Sequence, residues 1–155
     1  MYIGQMTRKR GAEKRKFKYN PNVKGNYHWT YVMRYPNATK RKKIAEGMEL
    51  AIKKKKYIKY SNGSKSTKVY DYVKTLKWNI GKIAKKTYTN CCVLASVACR
   101  YAGIATPKKS SSLTLHKKWT KYGFKRIKYK KGMKLYRGDI LVCTTKYHPH
   151  TAVVL

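Results

Sequence analysis

The chain has 155 residues, which is enough for one ordinary domain with a core of its own. Its formal net charge of +34 comes from 39 Lys and Arg residues against five Asp and Glu residues, so its surface attracts polyanions such as nucleic acid, anionic lipid or anionic cell-wall polymers. Residues 72–155 contain a single acidic residue, Asp139. This half of the chain therefore cannot supply the pair of carboxyl groups that most glycosidases need. Nor can it supply the several carboxylates of a magnesium site.

Residues 1–40 are basic, aromatic and poorly periodic, and they contain two breaker segments, NPN at 20–22 and YPN at 35–37. We predict a partly ordered arm here, followed by a domain over residues 41–155. The sequence shows neither an apolar signal-peptide core nor a transmembrane segment. We therefore expect a protein made in the cytoplasm without a signal peptide, with its thiols free.

Two amphipathic helices are predicted in the next part of the chain, separated by a polar loop over residues 61–67. Apolar residues recur at helical spacing after Lys40 and again after the loop. The first stripe contains Ile44, Met48, Ala51 and Ile52, and the second contains Val69, Tyr72, Val73 and Leu76. We expect the second helix to end near Gly81.

The strongest helix signal lies in the segment YTNCCVLASVACRYAGI, residues 88–104. Asn90 is a favoured N-cap residue, and Gly103 is typical of a Schellman ending, so we predict a helix from Cys91 to Ala102. One face of this helix is predicted to be formed by Cys91, Leu94, Ala95, Ala98, Tyr101 and Ala102. Cys92 is predicted to point in a different direction, toward the other face.

The last third of the chain is predicted to contain one helix and two strands. The helix covers SSSLTLHKKWTKYGF and ends at Gly123, and the strands ILVCTT and HTAVVL pair in an antiparallel manner around the turn-like KYHP. The period of two puts His150, Ala152 and Val154 on one face of the second strand. If this face meets the small-residue face of the cysteine helix, we expect the imidazole of His150 to approach the Cys91 thiol.

The spacing of the cysteines limits their chemistry. Cys91 and Cys92 are adjacent and Cys99 follows seven residues later, which fits neither the paired spacing of zinc sites nor the C-x-x-C spacing of redox couples, so no metal or other cofactor is expected. A thiol in the first turn of a helix lies near unpaired backbone N–H groups, which favour the thiolate. Cys91 and His150 would then form a nucleophile and a general base. The alternative for both is a buried, inert side chain.

The segments TNCCVLASVACRYAGI, LYRGDILV and HTAVVL, in this order, resemble the NlpC-type cell-wall cysteine peptidases, bacterial and phage relatives of papain. More narrowly, they are similar to the endolysins of phages of clostridia and their relatives, in which a Gly-Phe segment precedes an LxxGDVL strand and an HTA strand. The counterparts here are Gly123–Phe124, Leu135–Leu141 and His150–Ala152. The resemblance implies an α+β, papain-like domain with N-terminal helices, in which the nucleophile helix packs on an antiparallel sheet.

The resemblance assigns roles to matching positions. Cys91 matches the nucleophile, Cys92 matches the serine that follows it, and His150 matches the general base. Gly138 and Asp139 match the Gly-Asp that opens the central strand, so the RGD tripeptide reads as the start of a strand rather than an integrin motif. The family's substrate-binding tyrosine upstream of the nucleophile has two candidates here, Tyr60 and Tyr70.

Three features depart from the family pattern. Asn90 replaces the usual aspartate before the nucleophile, and Val93 stands where a glycine is common. The third polar residue, which orients the histidine, normally lies on the next strand, and the sequence stops five residues after His150. Either C-terminal strands are missing from this domain, or a polar group elsewhere fixes the imidazole tautomer.

The resemblance implies a peptidoglycan hydrolase that cleaves an amide bond of the stem peptide by a Cys-His mechanism. Its partners would be peptidoglycan and anionic cell-wall polymers at the bacterial wall, and we expect a monomer. One alternative is a nucleic-acid-binding protein, in which KRKFKYNPNVKGNYHWTYVMRYP would contact phosphates with its cations and bases with its tyrosines and Trp29. A second alternative is an inactive peptidase-like fold kept as a wall-binding module.

Overall fold

The computed structural model of the protein describes residues 1–17, 29–145 and 148–155. Its strands are β1 (Tyr2–Thr7), β2 (Gly11–Lys16), β3 (Tyr31–Arg34), β4 (Ile58–Tyr60), β5 (Thr87–Thr89), β6 (Lys125–Lys128), β7 (Ile140–Cys143) and β8 (His150–Val154). Its α-helices are α1 (Ala38–Lys53), α2 (Lys68–Thr75), α3 (Cys91–Tyr101) and α4 (Leu115–Lys118). Short 3-10 turns lie at Ser64–Thr67, Ile80–Lys82 and Trp119–Tyr122.

Six strands form one sheet in the order β2-β1-β8-β7-β3-β6. Every neighbouring pair in this sheet is antiparallel, whereas β4 and β5 form a separate parallel pair. Helices α1, α2 and α3 pack together, and both α1 and α3 contact the sheet. The predicted α+β class, with helices on an antiparallel sheet, is confirmed and is consistent with a papain-like fold.

Apolar side chains are buried on both faces of the sheet. Along β7, Ile140 and Val142 pack into the main core with the helices, and Leu141 packs into a second cluster that contains Trp29. Successive residues of a strand point to opposite faces, so the unbroken apolar run of β7 is explained by burial on two sides. The predicted pairing of β7 with β8 is confirmed, with Cys143 opposite His150.

Capping interactions define the boundaries of α3. The Asn90 side chain accepts a hydrogen bond of 2.9 Å from the backbone N–H of Val93. At the other end, Gly103 has a positive φ of 76° and the N–H of Ile104 donates to the carbonyl of Cys99, which is a Schellman motif. The predicted helix is confirmed, with Ala102 as its C-cap.

The small-residue face of α3 packs on α1 at Ala98. A Cβ added to Gly47 of α1 would lie 3.2 Å from the Cα of Ala98, so the two helices approach each other closely at this point. On the opposite side of α3, the Cys92 Sγ lies 3.3 Å from the Thr151 Oγ1 of β8. The contact of the small-residue face with β8 was predicted only as a condition, because helical periodicity defines a face without specifying its partner.

Among the described residues of the first 40, three strands occur where the sequence analysis predicted a partly ordered arm. The apolar side chains of Ile3, Met6, Val32 and Met33 are buried, so β1 and β3 are parts of the sheet. Each strand carries only a few apolar residues among many cations. An alternation of apolar and polar residues this short does not predict a strand. The NPN breaker lies outside the described residues.

The other predicted helices are present, with differences at their ends. Helix α2 ends at Thr75 because Lys77 and Trp78 both adopt positive φ angles, of 52° and 63°, so it stops before the predicted boundary near Gly81. The helix predicted to end at Gly123 is a short α-helix followed by a 3-10 turn, and Gly123 closes it with a φ of 92°. Within the described residues, no helix has the length and apolar character needed to cross a membrane.

Candidate active site

Cys91 is the first residue of α3 and lies in a cleft of about 530 Å³. The β1–β2 hairpin forms one wall of this cleft, Tyr60 and Asn62 form another, and residues 148–150 form a third. Cys91 is partly buried, whereas the other three cysteines are buried, and all four are free thiols. The cysteine predicted to be the nucleophile is therefore the one that faces open space.

His150 lines the same cleft as the first residue of β8 and helps to lower the pKa of the Cys91 thiol. The two residues meet in a different way from the one predicted. Ala152 packs into the cluster on the far side of the sheet, and the Thr151 hydroxyl contacts Cys92 of α3. His150 reaches Cys91 because β8 and α3 both begin at this end of the molecule.

The pKa of the Cys91 thiol is held well below its usual range. The largest cause is a hydrogen bond from the neighbouring Cys92 thiol, whose Sγ lies 4.0 Å from the Cys91 Sγ. The hydrogen bond and positive charge of His150 act in the same direction, as does the backbone N–H of Thr151, and burial opposes them. These contacts favour the thiolate at Cys91.

Cys92 has the opposite environment. Its Sγ lies 3.0 Å from the Ser112 Oγ and 3.3 Å from the Thr151 Oγ1, inside the protein. The negative partner at Cys91, followed by burial, raises the pKa of the Cys92 thiol well above its usual range. The two adjacent cysteines therefore differ in environment: Cys91 lines the cleft and has a lowered pKa, whereas Cys92 is buried behind it and has a raised pKa.

Gln5 on β1 contacts His150 through the imidazole Nε2. The Gln5 Oε1 lies 2.9 Å from the His150 Nε2, and the Gln5 Nε2 lies 2.7 Å from a carboxylate oxygen of Glu13. A carboxylate can only accept hydrogen bonds, so Glu13 fixes which end of the Gln5 amide faces the histidine. The His150 Nε2 must then carry a proton, which leaves Nδ1 as the nitrogen that can accept a proton in the neutral imidazole.

Sequence reasoning missed Gln5 because it looked for the third polar residue after His150. In the structure the strand beside β8 is β1, with Gln5 opposite Ala152, so the neighbouring strand comes from the start of the sequence. Chain order does not determine strand order in a sheet. The one available signal was the polar Gln5 next to Met6 in the short segment YIGQMT.

The two predicted substrate-binding tyrosines are placed far apart. Tyr60 lines the cleft; it pairs with Thr89, just before the nucleophile helix, and its hydroxyl donates to the Asn62 Oδ1 at 2.7 Å. Tyr70 is buried, and its hydroxyl donates to the carbonyl of Thr106 at 3.0 Å. Only Tyr60 is in a position to contact a ligand beside Cys91.

Gly138 and Asp139 have structural roles at the start of β7. Gly138 has a positive φ of 86°, and a Cβ there would overlap the carbonyl of Arg41. The Asp139 side chain is fully buried and receives two hydrogen bonds from the Arg34 guanidinium, at 2.9 and 2.7 Å. A buried, paired aspartate is not accessible to an integrin, which agrees with the interpretation of RGD as a strand opening.

Residues 18–28 of the basic, aromatic segment proposed to bind nucleic acid lie outside the described residues. Trp29 at its end is 5% exposed and packs in the second core cluster, so the expectation that it stacks on bases was wrong. No group of three or more metal-binding side chains occurs in the part of the chain that the structure describes.

Comparison with known proteins gives one match. A family model described as an endolysin-like domain matches residues 5–155, which includes Gln5, Cys91 and His150. No curated protein and no solved structure shows a significant match to the chain.

Proposed function

The chain belongs to the endolysin-like domain family, a phage endolysin-like family that acts on the cell wall, and on this premise we propose that it cleaves an amide bond of the peptidoglycan stem peptide with Cys91 as nucleophile. Family membership supports a peptidoglycan-related lytic function. The observation that carries the finer proposal is that Cys91, whose thiol has a lowered pKa, and His150 line one open cleft.

The proposed first half-reaction forms a thioester. The Nδ1 of His150 takes the proton from the Cys91 thiol, and the thiolate attacks the carbonyl carbon of the amide. The backbone N–H of Cys91 lies in the first turn of α3, where N–H groups have no partner within the helix, so it is the first donor available to the oxyanion. The imidazolium then gives its proton to the leaving nitrogen, and the C–N bond breaks.

The second half-reaction is hydrolysis of the thioester. His150 accepts a proton from water, the hydroxide attacks the carbonyl carbon, and the Cys91 thiolate leaves. Gln5 holds the imidazole through both steps by accepting a hydrogen bond from Nε2. The resemblance to NlpC-type enzymes implies either cleavage next to D-glutamate or removal of the stem from the muramoyl sugar, and the masses of the products distinguish the two.

The test is mass spectrometry of the fragments released from purified peptidoglycan under reducing conditions. The parent protein should release stem-peptide fragments, and Cys91→Ala should release none. Cys99→Ala is the matched control, since Cys99 is a buried thiol at the other end of the same helix. Release by Cys91→Ala at the parental rate would refute the mechanism. Wall binding by the parent without release would favour the inactive wall-binding module instead.

A further inference from the structure

The β1–β2 hairpin contributes three arginines to the wall of the cleft that contains Cys91: Arg8, Arg10 and Arg15. The chain has only eight arginines against 31 lysines, so more than a third of its arginines line this one cleft. A surface that needed only positive charge would be served equally well by lysine. The concentration of arginine here calls for an explanation specific to the guanidinium group.

Each of the five remaining arginines has a hydrogen-bonding partner within the protein. The partners are Asp139 for Arg34, the carbonyl of Tyr35 for Arg41, the carbonyl of Thr106 for Arg100, His116 for Arg126 and Glu49 for Arg137. This chain therefore uses arginine where a planar, multidentate donor is needed, and two of the five partners are carboxylates.

The hairpin arginines are exposed and make few contacts with the described part of the chain. The Arg10 guanidinium lies 3.8 Å from Glu13, with its side chain 71% exposed, and the Arg8 guanidinium lies 5.8 Å from the centre of the Tyr60 ring. Arg15 has no hydrogen bond or ion pair to any described residue. Glu13 already accepts from Gln5, so one carboxylate faces three guanidinium groups and the wall keeps a positive charge.

We propose that the hairpin arginines bind a free carboxylate of the substrate next to the scissile amide, so that the enzyme selects stem peptides with that carboxylate over their amidated forms. This inference rests on the proposed function. The planar guanidinium matches a carboxylate with two parallel hydrogen bonds. Because these arginines share a cleft with Cys91 and His150, the group they bind belongs to the molecule being cleaved.

A second groove shares Arg8 and Arg10 with the cleft but not Arg15, and its additional lysines suit an anionic polymer. It has a volume of about 370 Å³ and is lined by Lys55, Lys56 and Lys59 together with hairpin residues. Lysines act as point charges without the fork geometry of arginine. A phosphate-rich wall polymer bound in this second groove would lie outside the cleft, whereas a peptide carboxylate would enter the cleft.

The experiment measures binding separately from cleavage. Two synthetic stem peptides, identical except for a carboxylate or a carboxamide beside the scissile bond, are titrated by calorimetry into Cys91→Ala, which cannot turn them over. A charge-assisted hydrogen bond corresponds to a preference of about 10-fold or more for the carboxylate. Adding Arg8→Gln and Arg15→Gln should reduce the preference to near unity, while adding Lys125→Gln, an exposed cation on the opposite edge strand of the sheet, should preserve it.

The outcomes separate the two proposals. Equal affinity for both peptides, or no binding of either at millimolar concentration, would overturn the carboxylate inference. The carboxylate inference would also be overturned if a purified phosphate-rich wall polymer displaced the bound peptide and this displacement required Arg8 and Arg15. Cleavage by the parent without a carboxylate preference would support the proposed function and overturn the carboxylate inference. A preference without cleavage would support the inference and count against the hydrolase.

Discussion

Replacement of Gln5 tests whether the imidazole is positioned by the N-terminal strand. Gln5→Ala removes the acceptor 2.9 Å from the His150 Nε2 and leaves the buried His150 N–H without its partner. Losing a hydrogen bond in this way costs about 1–3 kcal/mol, which corresponds to a fall in kcat of about 10- to 100-fold. KM should change little, because Gln5 is buried behind His150 and does not face the cleft.

Exchanging the two side chains of the Gln5–Glu13 pair makes the test sharper. Gln5→Glu alone puts two carboxylates at the 2.7 Å separation of the present hydrogen bond, a repulsion of about 6 kcal/mol at an effective dielectric constant of about 20. That pair must share a proton, and the histidine loses its fixed acceptor. The double variant Gln5→Glu with Glu13→Gln restores one carboxylate and one amide, so its kcat should recover most of the loss.

The assay is the rate of fragment release from peptidoglycan between about pH 5 and 9, the range in which histidine and perturbed thiols titrate. Nitrogen NMR of His150 supplies a structural readout, because the parent should show the tautomer with the proton on Nε2. Parental kcat for Gln5→Ala at every pH would refute the reasoning. So would a double variant as slow as Gln5→Glu alone.

Three further predictions use the same variants and reagents. Iodoacetamide at neutral pH should alkylate Cys91 far faster than Cys92, because the pKa of the first thiol is lowered and that of the second is raised; tandem mass spectrometry locates the label, and equal labelling would contradict the assignment. Gly138→Ala should lower the free energy of unfolding by about 3 kcal/mol in urea denaturation, with Gly63→Ala, whose Cβ would meet no atom within 4 Å, as the matched control. Fragment release should fall between about 20 and 150 mM salt if the basic surface attracts the anionic wall, and a constant rate would exclude that role.

The elements that could be predicted from sequence are those with local signals. Helix α3 was predicted to within one residue because Asn90 and Gly103 provide caps whose chemistry does not depend on the rest of the fold. The β7–β8 hairpin was predictable because both strands are apolar runs around a short turn. Cys91 and His150 were proposed as a pair on the same grounds, since each lies at the start of one of these elements.

Long-range contacts could not be predicted. Gln5 and His150 are 145 positions apart, and nothing in the segment YIGQMT indicates which strand it joins. The same limit explains why the partner of the small face of α3 stayed conditional, whereas in the structure Gly47 of α1 lies beside it. The proposed site depends on such a contact: local patterns pointed to the proposed nucleophile and base, and only the strand order places Gln5 beside His150.

The pairing of β1 with β8 places the proposed catalytic residues on two parts of the fold that we expect to differ in stability. Cys91 and His150 lie on elements in the interior of the fold, whereas Gln5 lies on β1, which is next to the edge strand β2 and pairs with β8 at three positions. Partial opening of a sheet edge requires less free energy than global unfolding. On warming, the hairpin should therefore detach first and leave a folded protein whose histidine can rotate, so that catalysis ceases reversibly at temperatures where the core is still intact.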